Sequence, residues 1–172
     1  MSEEQKNEMS DDEKLAKIRE LVTKIDIGML TTIDENGDLH SRPMSVNGEV
    51  EFDGDLWFFT YGSSHKASEI EGDQRVNVSF SQAQSQTYVS LSGNAKLVRD
   101  ADKISEIWQP SLKAWFPDGV ETNDIALLKV EVEKAQYWDS SGEATAYVVG
   151  IAKGVVAHEP AKDGENEKVD LK

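Results

Sequence analysis

The chain has 172 residues, 38% of them hydrophobic, which fits one domain with a core of its own. Its net charge of −15 argues against nucleic acid as a partner, because phosphate backbones are bound by neutralising them with Lys and Arg. The absence of cysteine excludes disulfides, thiolate metal sites and cysteine nucleophiles.

The N-terminal residues, MSEEQKNEMSDDEK, are polar and acidic, the opposite of a signal peptide. No apolar run of about 20 residues is present, so the sequence predicts no membrane span. With the lack of cysteine, this pattern indicates a cytoplasmic protein. We expect a disordered N-terminus over residues 1–9, a single domain over 10–157 and a polar C-terminal tail over 158–172.

The first elements follow from spacing. Ser10 and Glu13 have the spacing of a capping box, and the apolar residues that follow predict an amphipathic helix over 11–26, with Gly28 ending it. Asn36-Gly37 lies between two strand-like runs, which predicts a β-hairpin over 29–46.

The rest of the chain alternates between strand and helix patterns. Strands are predicted over 56–61, 75–81, 87–98 and 125–138, with short helical patterns over 64–72 and 101–116. Gly93 is a place where a long strand can bend, and Pro110 interrupts the second helical pattern. Residues 145–157 are ambiguous between strand and helix. The sequence therefore predicts a mainly β fold, a small β-barrel of six or seven mostly antiparallel strands with peripheral helices.

The turn after the aromatic strand LWFFTY combines features that suit an anion. Gly62, Ser63, Ser64 and Lys66 stand at a helix start, where free N–H groups and a partial positive charge are available. Lysine usually favours the other end of a helix, so its position here suggests a function. The alternative is that a serine only caps the helix and that Lys66 is solvated at an acidic surface.

Arg42 bears on the same question. It lies in Ser41-Arg42-Pro43-Met44, on the second strand of the hairpin, and Pro43 indicates an edge strand or a bulge. Two interpretations remain open: Arg42 and Lys66 converge on one phosphate, or Arg42 forms a surface ion pair with an acid. The histidines, His40, His65 and His158, have no metal-ligand spacing, so no metal site is predicted.

Several segments, in order, carry a family resemblance: LHSRPMS, DLWFFTYGSSHKASEI, RVNVSFS, YVSLSGNAKLV, WQPSLKAWFPDG and LLKVEVEKAQYWD. The chain resembles the general-stress-protein branch of the pyridoxamine 5′-phosphate oxidase-like, flavin-binding split barrels, over about residues 11–150. The resemblance implies a split β-barrel that pairs with a second copy to form FMN sites at the subunit interface.

The resemblance also implies roles for single residues. Arg42 and Lys66 match the basic residues that hold the FMN phosphate, with Ser64 in the same loop. His65 stands where relatives often carry a second cation.

Other matching positions lie beside the flavin. In the family, the backbone of one strand lies along the flavin ring, and that strand is matched here by Pro43, Met44 and Ser45. The strand residues that touch the ring and its ribityl chain are matched by Phe59 and Thr60. Tyr88 stands at the position where the oxidases of the family carry a glutamine near the ring. Trp138 matches an aromatic that reaches the cofactor across the dimer.

One departure bears on activity. True oxidases carry an Arg- and His-containing motif after the equivalent of Trp138, whereas residues 140–151 read SSGEATAYVVGI, without Arg, Lys or His. The sequence thus predicts an FMN-binding redox protein linked to stress, a reductase or oxidase with a small-molecule electron donor or acceptor, but not a pyridoxamine phosphate oxidase. The alternative is a flavin-binding or flavin-sequestering protein without catalysis.

Overall fold

The computed structural model describes residues 9–46, 52–140 and 165–170. The expectations for residues 1–8, for the ambiguous segment 145–157 and for most of the cation-free segment 140–151 therefore lie outside the described residues. None of the described helices is long and apolar enough to cross a membrane.

Within the described residues, seven antiparallel strands form one sheet, in agreement with the six or seven mostly antiparallel strands that the sequence predicts. They are β1 (Ile27–Ile33), β2 (Leu39–Ser45), β3 (Asp55–Tyr61), β4 (Arg75–Gln82), β5 (Thr87–Val98), β6 (Ile125–Asp139) and β7 (Glu165–Asp170). Their order is β2-β1-β4-β5-β6-β3, and β7 also pairs with β6. β2 is thus an edge strand, in agreement with the proline at its centre.

In the part of the chain that the structure describes, three α-helices accompany the sheet: α1 (Asp11–Lys24), α2 (His65–Gly72) and α3 (Ala101–Glu106). Two short 3₁₀ helices, Pro110–Ala114 and Gly119–Glu121, follow α3, so the helical pattern of residues 101–116 breaks before Pro110. The capping box of α1 is confirmed: the Ser10 amide donates to the Glu13 carboxylate at 2.7 Å, and the Glu13 amide donates to the Ser10 hydroxyl at 3.3 Å.

Gly28 does not end α1, as the sequence suggested, but lies within β1. The helix already ends at Lys24, with Ile25 as its extended C-cap. A Cβ at position 28 would lie 2.8 Å from the Phe80 ring on β4, so this glycine allows a large side chain to pack against the β1 backbone.

The predicted polar tail also needs correction, because residues 165–170 form β7. This strand pairs along β6, with Val169 opposite Ala135 and buried in the core. α1 closes over the same region: Lys17 lies 2.6 Å from Asp139 of β6, and Lys14 lies 3.8 Å from Glu167 of β7. A single apolar side chain among polar ones gives a weak strand pattern, so the sequence alone did not predict β7.

The hydrophobic core has two parts, divided by β3. The first cluster fills the space between the sheet and α1 and includes Phe58, Phe80 and Tyr137. The second cluster packs Phe59 and Leu127 against α3 and the 3₁₀ segments. Successive residues of a strand point to opposite faces, so β3 contributes to both clusters.

The pairing of β5 with β6 is irregular at Gly93, the position at which the sequence suggests that a long strand can bend. The register between β5 and β6 shifts between Ser92 and Gly93, and a Cβ at position 93 would lie 1.9 Å from the Glu131 carbonyl oxygen. Only a residue without a side chain fits this approach of two backbones.

Gly93→Ala is therefore expected to lower the free energy of unfolding by about 1–3 kcal/mol, since the two strands must move apart. Urea unfolding measures it. The control is Gly72→Ala at the end of α2, where an added Cβ meets no atom within 4 Å; it should change stability by less than about 0.5 kcal/mol. Equal effects at both glycines would contradict the steric explanation.

Candidate functional site

The turn between β3 and α2 is tied to the residue that precedes β6. The amide N–H of Gly62 donates to the Asp124 carbonyl oxygen at 2.8 Å, and that of Ser63 donates to the Asp124 carboxylate at 2.7 Å. Arg99 Nη1 donates to the other carboxylate oxygen at 2.8 Å. Asp124 has a positive φ of 65°, a conformation that Asp and Asn adopt more readily than most residues. These contacts fix the turn where α2 begins.

Because of these bonds, the pKa of the Asp124 carboxyl lies well below its usual value. The hydrogen bond from Arg99, followed by those from Ser63, lowers the pKa of its carboxyl from 3.8 to about 2. The Arg99 guanidinium also lies over Gly62, where a Cβ would be 2.1 Å from Nη2.

Helix α2 begins with donors that have no acceptor within the described part of the chain. Ser64 is its N-cap, but its hydroxyl lies 3.0 Å from the Thr60 hydroxyl and makes no capping bond. The amides of Ala67 and Ser68 donate to the Ser64 carbonyl, which leaves the N–H groups of His65 and Lys66 without an intrachain acceptor in the described residues. The side chain of Ser64 thus does not act as the simple cap that the sequence left open.

Lys66 lies in the first turn of α2 and is half-buried. Within residues 9–46, 52–140 and 165–170 its ammonium makes no hydrogen bond or ion pair. Burial lowers the pKa of Lys66, the nearby Arg42 lowers it further, and Glu69 acts in the opposite direction. A cation without a counter-ion beside two free N–H groups is an arrangement that an anion stabilises.

Arg42 lies close enough to Lys66 to lower its pKa, but it is already paired. Its Nη2 donates to Glu69 Oε2 at 2.6 Å, and its Nη1 donates to the Thr32 hydroxyl at 2.5 Å and to the Leu30 carbonyl at 3.4 Å. The ion-pair interpretation that the sequence left open for Arg42 is therefore what the chain shows. Its acid is Glu69 of α2.

Glu69 is held by several donors. Burial raises the pKa of its carboxyl, but hydrogen bonds from Thr32, His40 and Arg42 lower it more, so the pKa lies below its usual value. His65, the other histidine of this region, lines an open groove of about 740 Å³ between α2 and the β1–β2 turn.

The remaining predicted residues lie in different surroundings. Met44 is buried in the first core cluster, while Pro43 and Ser45 are exposed on the opposite face of β2. Phe59 packs inside the second cluster, with its ring centroid 5.5 Å from that of Trp108 and 6.0 Å from that of Phe116.

Tyr88 and Trp138 form a separate group. They are directly opposite each other on β5 and β6, and Tyr88 is 40% exposed. Within the described residues of one chain, no hydrogen bond, ion pair or ring contact joins this pair to the group of Arg42, Ser64 and Lys66.

Sequence reasoning missed the residues that hold the site in place. They are Thr32, His40, Glu69, Arg99 and Asp124. Glu69 had a usable signal, because it follows Lys66 by three residues and so shares a helix face with it. The other four depend on strand register, which spacing alone does not reveal.

Comparisons with known proteins agree with this fold. The family model described as "Pyridoxamine 5'-phosphate oxidase like" matches residues 13–162. Protein bli-3 of Neurospora crassa is 30% identical over 159 residues, covering 87% of this chain and 76% of that protein. General stress protein 26 of Bacillus subtilis is 29% identical over 134 residues, covering 75% and 90%.

Two solved structures show the same architecture. The general stress FMN/FAD binding protein from Xanthomonas citri aligns with a TM-score of 0.63 and 28% identity, covering 75% of this chain and 90% of that one. A Clostridium acetobutylicum protein related to general stress protein 26 aligns with a TM-score of 0.70 and 16% identity, covering 95% and 97%.

The turn should respond to acid through Asp124. Its pKa is lower in the folded chain than its ordinary value, so the stability it contributes is present above about pH 4 and is lost as pH falls towards 2. Asp124→Asn should lower Tm at pH 7 and flatten its fall between pH 5 and pH 2. Asp118→Asn removes an exposed acid without such bonds and is the control. An unchanged pH dependence in Asp124→Asn would show that these bonds do not fix the turn.

Proposed function

Because the chain belongs to the pyridoxamine 5′-phosphate oxidase-like family, we propose that it binds FMN and acts as a flavin-dependent reductase or oxidase in a stress response. The single observation that carries the proposal is Lys66, a half-buried cation whose ammonium makes no hydrogen bond or ion pair among the described residues, beside two N–H groups without an intrachain acceptor there at a helix start. The solved relative from Xanthomonas citri is itself described as a general stress FMN/FAD binding protein.

The donors present fit a phosphate. The side chain of Lys66 supplies a full positive charge, and the amides of His65 and Lys66 supply N–H donors along the α2 axis. The hydroxyls of Thr60 and Ser64, 3.0 Å apart, supply two more groups at the same turn. Phosphate binds well at such a helix start, because the free N–H groups and the helix dipole both favour negative charge.

The flat ring of the flavin has its proposed place along β2. Pro43, Met44 and Ser45 belong to an edge strand, whose outward-facing backbone groups are available to hydrogen-bond a ligand. The side chain of Phe59 is committed to the second core cluster, so its proposed role is to hold the strand beside the ring.

When bound, the flavin supplies reversible hydride and electron transfer. The residues of this chain bind its phosphate, orient its ring and control access to it. The second candidate is a flavin-binding protein without catalysis, since the description of the Xanthomonas citri relative names FMN/FAD binding and no reaction. Steady-state NAD(P)H oxidation by the FMN-loaded protein separates the two.

We further propose that the site is completed by a second copy of the chain. The central part of one face of β1, β2, β4 and β5 is formed by twelve outward positions: Ile27, Met29, Thr31, Ser41, Pro43, Ser45, Asn77, Ser79, Ser81, Tyr88, Ser90 and Ser92. None of these twelve is charged, although 30% of the chain is. The charged residues on the same face, Arg75 of β4 and Lys96 of β5, lie at one end of it. Depletion of charge is typical of interface centres. The partner's copy of this face would bring a Tyr88–Trp138 pair, which the phosphate-binding group lacks in one chain.

Lys66→Ala should weaken FMN more than riboflavin, because only FMN carries the phosphate. A charge-assisted hydrogen bond contributes about 1.5–3 kcal/mol, so the loss for FMN should be about ten- to a hundredfold. Quenching of flavin fluorescence measures both affinities. Lys24→Ala, which removes an exposed lysine of α1, is the matched control. Equal weakening of both flavins by Lys66→Ala would disprove the phosphate assignment.

Met29→Glu should convert a homodimer to a monomer, because it places a charge at the centre of the uncharged face. Light scattering measures the mass of each form, and Ala16→Glu adds the same charge on the exposed side of α1 as a control. The monomer should also bind FMN more weakly. A wild-type monomer that binds one FMN per chain would contradict the shared site.

A further inference from the structure

We propose that Glu69 determines how strongly the site prefers a ligand with a phosphate, because it competes with that phosphate for Arg42. This inference rests on the proposed function. The carboxylate of Glu69 occupies the position on Arg42 that a phosphate oxygen would take, with 2.6 Å between Glu69 Oε2 and Arg42 Nη2. Its side chain is only 10% exposed, so solvent screens the pair weakly.

The charges of the site show what Glu69 does to it. Arg42 and Lys66 each contribute one positive charge, and Glu69 cancels one of them. Lys66 interacts electrostatically with both residues. Burial has the largest effect on the pKa of Lys66 and lowers it, Arg42 lowers it further, and Glu69 raises it. A phosphate monoester brings a charge of about −1.5 to −2 at neutral pH, so it meets a net charge of one rather than two.

The contacts of Arg42 bear on whether Glu69 competes with a phosphate for Arg42 or holds Arg42 in place for it. If Glu69 were needed to hold Arg42 in place, its loss would weaken phosphate binding. Arg42 is also anchored through Nη1, which donates to the Thr32 hydroxyl at 2.5 Å and to the Leu30 carbonyl at 3.4 Å, both on β1. Removing the negative charge therefore frees Nη2 while the guanidinium stays in position.

Glu69 has other hydrogen-bond partners that remain when Arg42 binds a ligand instead. The Thr32 hydroxyl donates to Glu69 Oε2 at 2.6 Å, and His40 Nδ1 lies 3.3 Å from Glu69 Oε1. Nδ1 is also 2.9 Å from Arg42 Nη2, so it accepts from Arg42 in one tautomer and donates to Glu69 in the other. Once Arg42 leaves, the Nδ1 tautomer of His40 can donate to Glu69. The exchange then leaves no carboxylate oxygen without a donor.

The test is Glu69→Gln, which keeps the shape of the side chain and an oxygen that accepts from Thr32. Glu71→Gln is the matched control, since it removes an exposed negative charge from the same helix, two residues away. Each variant and the wild type are titrated with FMN and with riboflavin by fluorescence quenching. Thermal unfolding in inorganic phosphate and in chloride of equal ionic strength gives a readout that needs no flavin.

In Glu69→Gln the affinity for FMN should rise at least about fivefold, the equivalent of roughly 1 kcal/mol for one partly screened charge pair. The affinity for riboflavin should stay within about twofold, a change too small to count as a lost contact. The increase of Tm in phosphate over chloride should also be larger than in the wild type. Glu71→Gln should behave like the wild type in all three measurements.

Weaker FMN binding in Glu69→Gln, or an unchanged ratio of FMN to riboflavin affinity, would overturn the inference and assign Glu69 to orientation or to stability. Equal gains in Glu71→Gln would also overturn it, since net charge alone would then be the cause. If the wild type binds neither flavin, the proposed function fails, and the phosphate-dependent Tm of the two variants still decides the role of Glu69.

Discussion

Strand β3 carries buried side chains on both faces, with Phe58 in the first core cluster and Phe59 in the second. A strand held from both sides cannot shift its register without moving apolar side chains into the wrong cluster. The turn that follows inherits this fixed position, and the contacts of Asp124 hold its other side. Packing places the donors at the start of α2 before any ligand is present. This lowers the loss of conformational entropy that accompanies binding.

The local charge of the site differs from that of the chain. The protein has 33 acidic and 18 basic residues, yet in the described residues the Lys66 ammonium makes no ion pair with an acid and Arg42 makes one, with Glu69. An acidic surface repels free anions at long range, while a half-buried cation attracts them only at contact distance. Such a distribution favours a ligand whose apolar part brings its phosphate into the site, and a flavin mononucleotide is a ligand of this kind.

The sequence predicted features that depend on local patterns. The capping box, the Asn36-Gly37 hairpin, the irregularity at Gly93 and the course from strand β3 to helix α2 each follow from a few neighbouring residues. Features that depend on distant partners were wrong or open. Gly28 looked like a helix end because its packing against Phe80 comes from another strand, 52 positions later in the chain. The Arg42–Glu69 pair remained one of several alternatives for the same reason.

The two ends of the described chain meet on β6. Met9 lies beside Tyr137, and β7 pairs with β6 from Lys134 to Asp139. β6 therefore acquires one of its neighbours from residues 165–170, which leave the ribosome more than twenty residues after Asp139. During synthesis, the backbone around Trp138 has Tyr88 on one side and an open edge on the other until those residues emerge. Exposed edges promote pairing with other chains, so the arrival of β7 covers a part of β6 that would otherwise be open to such pairing.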